Sequence, residues 1–207
     1  MALTMQYSGG ENTVWNGDKA SEPALHDLGY YRETIEGQRD PCVESLFEYS
    51  IRAGFPRIFK LFQKHNMPFT VWAVGRSLEV TQPYAQEMVK AGHEIADHGW
   101  RWRNHIYLSG PDEEAADIAK GIKKVHEITG DKESPSGWFI GSRFPSMKFS
   151  RAKVQKDMGV PLLYNSDCYH ADLPYWVPSP LTLDGEKDDG MLMMVRRALL
   201  SGACARG

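Results

Sequence analysis

Phe69-Thr70-Val71-Trp72-Ala73-Val74 is a nearly unbroken apolar run, rich in aromatic and β-branched residues. Such a segment has no polar side to show to water, so it suits a parallel strand covered on both faces. The segments around it step by three and four. Val43, Leu46, Phe47 and Ile51 predict a helix over 43–53 that Gly54 breaks. Pro56 opens another, with Ile58, Leu61 and Phe62 on one face and Asn66-Met67-Pro68 as its stop. Gly75 is expected to end the apolar strand.

The alternation then repeats. Pro83 to Ala91 reads as a helix closed by Gly92, and Glu94 to His98 as a strand leading to Gly99. Ser109 to Thr129 carries Ala115, Ile118, Ile122 and Val125 at helical spacing, acidic residues in its first turn and Gly130 behind it. Trp138-Phe139-Ile140 is a short strand, Ser150 caps a helix to about Met158, and Pro161 to Tyr164 is the next strand. Ala2 to Tyr7 reads as a first strand, and 12–42 as a long polar excursion without a period.

Strands alternating with helices imply parallel βα units. A barrel-like (β/α) fold and an open doubly wound sheet both satisfy the pattern, and both place active sites at the C-terminal ends of the strands. With 207 residues, 42% of them apolar and 25% charged, the chain suits one domain with a real core. The net charge of −3 argues against a general nucleic-acid partner. No stretch is long and apolar enough for a bilayer, and the first residues lack the basic start and apolar run of a signal peptide. Cys42, Cys168 and Cys204 are odd in number and widely spaced. A soluble cytoplasmic protein is therefore the expectation.

Several expected strand ends carry groups suited to acid–base chemistry. Gly9-Gly10-Glu11-Asn12 follows the first strand, and Asp97-His98-Gly99-Trp100-Arg101-Trp102-Arg103-Asn104-His105 the third. Gly141-Ser142-Arg143 follows the fourth, and Asn165-Ser166-Asp167-Cys168-Tyr169-His170-Ala171-Asp172 the fifth. Carboxylates, imidazoles and a guanidinium among aromatic residues suit a small-molecule or sugar site. Singly, each has a duller reading: a cap, a loop hydrogen bond or a surface ion pair. His93 reads as a structural hydrogen bonder, and Met191 to Met194 as packing. Asp97, His98 and His105 are weak candidates for a metal such as zinc, which wants three ligands and one open position. His98 and His105 are seven apart, not the four that aligns two ligands on a helix, so no metal is expected. No phosphate-binding glycine loop and no Gly-x-Ser-x-Gly elbow is present.

Gly92-His93-Glu94-Ile95-Ala96-Asp97-His98-Gly99, behind the Phe-Thr-Val-Trp strand, resembles the NodB-homology, or polysaccharide deacetylase, superfamily. Gly-Gly-Glu-Asn-Thr at 9–13, Gly-Asp-Lys-Ala-Ser-Glu at 17–22, His-Gly-Trp-Arg-Trp at 98–102 and Asp-Leu-Pro-Tyr-Trp at 172–176 look like its allantoinase-type branch, whose fungal relatives are often labelled chitin deacetylases. The resemblance implies a distorted (β/α) barrel and hydrolysis of carbon–nitrogen bonds other than peptide bonds, in N-acetylated sugars or a ureide ring. The superfamily's deacetylases hold a divalent metal with an Asp and two His. Here Ser8-Gly9-Gly10-Glu11 stands where their Asp pair would be, and Trp102 takes the second place of their His-x-x-x-His motif, whose first is His98. The allantoinase-like branch is similar in lacking that triad and needing no metal. Arg143 matches the family's third-motif arginine and Asp167 its fourth-motif acid.

These readings set the expectations. Glu11 or Asp167 acts as general base, ideally with burial raising its pKa; His98 as acid or oxyanion donor; and Arg143 as carbonyl clamp. Trp100, Trp102, Asp172 and Trp176 bind substrate. The deacetylase-like domain is expected over 1–180, with a divergent tail over 181–207 and a barrel short of its last units, whose open edges would favour a homo-oligomer. The alternatives are a metal-dependent chitin or N-acetylglucosamine deacetylase, and a non-catalytic binder of a sugar or ureide.

Overall fold

The structure is a computed structural model that describes residues 4–7, 41–102, 105, 108–139, 147–168, 171–181 and 190–195. β1 (Thr4–Tyr7) precedes α1 (Pro41–Tyr49), which runs through a wide π turn over Ser50–Gly54 into α2 (Phe55–Lys64). Gly54 does not break the helix as expected. It keeps right-handed helical dihedrals, φ −64° and ψ −59°, and the widened turn carries the backbone through. Pro56 does sit in the first turn of α2, where its missing N–H costs nothing.

β2 (Thr70–Ala73), α3 (Gly75–Val80), α4 (Gln82–Lys90) and β3 (Glu94–Asp97) follow. α3 was not expected: Gly75 ends the strand but also opens a helix. α5 (Pro111–Thr129), β4 (Gly137–Trp138), α6 (Met147–Met158) and β5 (Tyr164–Asn165) repeat the unit. Ser150 lies inside α6 and does not cap it. Two further strands, β6 (Tyr175–Val177) and β7 (Met191–Met193), went unread in the sequence. β7 falls within 181–207, the span expected to be a tail, and pairs with both β5 and β6. Met191 and Met193 are buried, so their expected packing role holds.

The seven-stranded sheet runs β1-β2-β3-β4-β5-β7-β6, parallel except for the β6–β7 pair. The first five strands stand in chain order, with no reversal and hence no topological switch point. That excludes the doubly wound alternative, which needs such a reversal. Helices α2, α3, α4 and α5 pack with Val71, Ala73 and Ile95, and α5 and α6 with Trp138, all on one face of the sheet. Trp72, Ala96, Phe139 and Tyr164 cluster on the other. A parallel sheet with its helices on one side, winding one way, is an arc of a (β/α) barrel. Among the described residues the arc is open, with β1 and β6 at its edges.

Candidate active site at the strand ends

Successive strand residues face opposite sides, and in β3 this separates two neighbours with different work. Ile95 and Asp97 face the helices, whereas Ala96 faces Trp72 and Phe139. His98, one residue past the strand, lies flat on the Phe139 ring with centroids 5.2 Å apart. Its Nδ1 lies 2.5 Å from the Phe139 carbonyl oxygen. A carbonyl can only accept, so Nδ1 carries the proton and Nε2 is the basic nitrogen. The His98 amide donates to the Ala73 carbonyl, which ties it to the end of β2.

Asp97 is fully buried on the helix side and is ion-paired with Arg151 of α6. The Gly99 amide donates to its Oδ1 at 3.0 Å. Burial pushes the carboxyl of Asp97 up, against the pull of Arg151 and the Gly99 amide; burial also pushes the Arg151 guanidinium down. Arg151 Nε donates to Gln155 Oε1 at 2.8 Å, and the guanidinium lies over Trp138 at 4.3 Å. Gln155 in turn donates to the Pro135 carbonyl. Arg151 also interacts favourably with Asp167, just past β5. Asn165 Oδ1 accepts from the Asp167 amide at 2.7 Å, which fixes the chain where it leaves the strand.

The loop after β3 is laced to its surroundings. The Gly75 and Arg76 amides donate to the carbonyls of Gly99 and Trp100, and the Trp100 amide to Asp117 Oδ2. Gly99 holds φ +79°, a conformation glycine adopts without strain. A Cβ on Gly75 would stand 2.8 Å from the Trp100 ring, and Lys120 Nζ lies 4.0 Å over that ring's centre. Trp100 therefore packs between α3 and α5, where the sequence reading had it lining a pocket. His105 is fully buried, its Nδ1 3.4 Å from Glu114 and its Nε2 3.7 Å from Asp117.

The proposed site residues thus divide. His98 and Asp167 lie just past the C-terminal ends of β3 and β5, with β4 between those strands. Trp102 is partly exposed, Asp172 is exposed, and Trp176 is 68% exposed on the edge strand β6. Glu11 and Arg143 lie outside the described residues. As metal ligands, Asp97 and His105 do not fit. The carboxylate of Asp97 is held by a guanidinium on the far side of the strand from His98, and His105 faces two acids of α5. Among the described residues no three His, Cys, Asp or Glu are grouped to hold a metal ion. The sequence reading missed Arg151. Its signal was an Arg and a Gln four apart on the helix after β4, beside a strand end carrying a buried acid.

The polysaccharide deacetylase family model matches residues 36–162, more than half of the chain. The chain belongs to that family. It is 34% identical over 188 residues to a Schizosaccharomyces pombe protein named "Putative polysaccharide deacetylase", covering 90% of this chain and 58% of that relative. It is 30% identical over 143 residues to a Helicobacter pylori peptidoglycan deacetylase, covering 69% of this chain and 46% of the relative. The crystal structure of PuuE allantoinase superimposes with a TM-score of 0.77 at 34% identity, over 94% of this chain and 60% of that one. The chain thus spans about half to three fifths of the length of these relatives, and the barrel read from its strand order matches a solved relative's fold.

Proposed function

We propose that the protein hydrolyses a carbon–nitrogen bond other than a peptide bond, in the manner of an allantoinase, opening a cyclic amide of a ureide. The observation that carries the reading is that His98 and Asp167 both stand just past the C-terminal ends of their strands, with β4 between, while Trp102 takes the place of the family's second metal-binding His. Asp167, or Glu11, takes a proton from water as the water adds to the amide carbonyl. His98, its Nδ1–H anchored on Phe139, acts as the imidazolium, and its Nε2–H donates to the oxyanion and then gives its proton to the leaving nitrogen. The carbon–nitrogen bond then breaks, the nitrogen takes up a proton, and a carboxylate is left. In this reading Arg143 orients the carbonyl, and Trp102, Asp172 and Trp176 contact substrate.

Support comes from the 34% identity to PuuE allantoinase over nearly the whole chain. The peptidoglycan deacetylase relative keeps an N-acetyl sugar as the rival substrate class. An assay of allantoin and N-acetylglucosamine oligomers, each with and without chelator, separates the two. Allantoin turnover that survives chelator is the expected result. Turnover of the sugar alone, lost with chelator, gives the deacetylase reading, and no turnover of either overturns catalysis.

A further inference from the structure

The chain leaving β3 doubles back along one face of α5. As the helix advances it meets this chain in reverse order: Glu114 and Asp117 at His105, Asp117 again at Trp100, and Gly121 at Gly99. Asp117 is the shared point. Its Oδ2 accepts the Trp100 amide at 3.0 Å and lies 3.7 Å from Nε2 of His105. Glu114, three residues earlier on the helix, lies 3.4 Å from Nδ1 of the same ring. The other side of Trp100 is held as well, since the Arg76 amide in the first turn of α3 donates to its carbonyl. Glu114, Asp117 and His105 are all buried. Buried carboxylates are costly to desolvate, and well-packed apolar residues in their place are often as stable or more so. What such acids supply is a fixed geometry for the chain they hold.

Between the two anchored points stands Trp102, partly exposed next to the buried Arg101. His98 is held independently of them: its amide donates to the Ala73 carbonyl and its ring to that of Phe139, at the ends of β2 and β4. We propose that Asp117 is a positioning residue for substrate binding. By holding the Trp100 amide beside the buried His105, it fixes where Trp102 stands and so how tightly substrate is held. The chemistry at His98 proceeds without it. The inference rests on the reading of Trp102 as a substrate contact given above. It assigns Asp117 no contact with substrate.

The test uses the whole chain labelled with 5-fluorotryptophan. Fluorine-19 NMR then reads each tryptophan without any substrate, and Trp102→Phe and Trp72→Phe assign two of the signals. In Asp117→Ala the Trp102 signal is expected to shift, while that of the buried Trp72 stays in place and shows that the sheet is intact. In Asp117→Asn, whose side-chain oxygen still accepts from the Trp100 amide, the Trp102 signal is expected to stay near its wild-type position. Asp117→Ser serves the same purpose as the alanine variant should that one not fold. A Trp102 signal that does not move in the folded variant overturns the proposal. In the kinetic arm, Asp117→Ala is expected to raise KM for allantoin about fivefold, with kcat within about twofold of wild type. In a Trp102→Ala background it should raise KM no further. An equal rise there, or a fall in kcat with KM unchanged, also overturns the proposal. If the wild type turns over no allantoin, or Trp102→Ala keeps the wild-type KM, the reading of the site fails, and the NMR signal alone decides whether Asp117 places Trp102.

Discussion

Asp97 and His98 are adjacent in the chain yet belong to different layers, one paired with a helix cation and the other stacked on Phe139. The sequence made His98 an acid or oxyanion donor and Asp97 only a weak metal candidate, and did not place them in different layers, because strand alternation decides the matter and the strand's exact end was not known. Arg151 was illegible for a related reason: an arginine in a polar helix reads as solvated unless the acid above it is known to be buried. The pair makes a strong prediction. Arg151→Met leaves the Asp97 carboxylate buried without its partner and should cost about 3–5 kcal/mol, read as a lower urea midpoint. Asp97→Asn with Arg151→Gln should cost clearly less.

His93 offers a second test at this scale. Its ring stacks on Phe69 at 3.8 Å and meets Phe59 edge-on, and Nδ1 accepts the Phe69 amide. Burial pushes its pKa below the ordinary 6.5. The unfolded chain therefore binds the proton more readily than the folded one. The contribution is whole above about pH 6.5 and is lost as pH falls below it toward the folded value. His93→Gln keeps an acceptor without titrating. Urea midpoints from about pH 7.5 down to 5.5 should fall less steeply in that variant than in the wild type. Equal slopes contradict the assignment.

At the scale of elements, the helices with clear periods were legible, and the glycines misled. Gly75 and Gly121 are small because they let α3 and α5 approach the loop after β3, a tertiary reason that no local pattern carries. A Cβ on Gly121 would stand 2.7 Å from Asp97 Oδ1 and 3.2 Å from the Gly99 carbonyl carbon. Ala in a helix ordinarily gains up to about 1 kcal/mol over Gly. Here overpacking of about 1–3 kcal/mol should win, because Asp97 is pinned by Arg151 and cannot give way. Gly121→Ala is therefore expected to lower the unfolding midpoint, and a raised midpoint contradicts the packing. β6 and β7 escaped notice because they pair antiparallel with each other, outside the helix–strand alternation that revealed even the two-residue β4 and β5.

At the scale of the molecule, the barrel was half legible. Alternating strands and helices reduced the choice to two architectures, and only the spatial order β1 to β5 selected one. The site was less legible. The strand-end rule singled out His98 and Asp167, but it could not say that Trp100 packs between α3 and α5 or that Asp97 is paired with Arg151. The central claim is that the edge of this sheet performs hydrolysis through Asp167 without a protein-held metal triad. It is tested most directly by the rate of allantoin ring opening with metal-stripped wild-type protein and with Asp167→Asn. The account predicts measurable turnover by the wild type and a loss of about a hundredfold or more in the variant. Equal rates in the two proteins, or turnover that appears only when a divalent metal is restored, would contradict it.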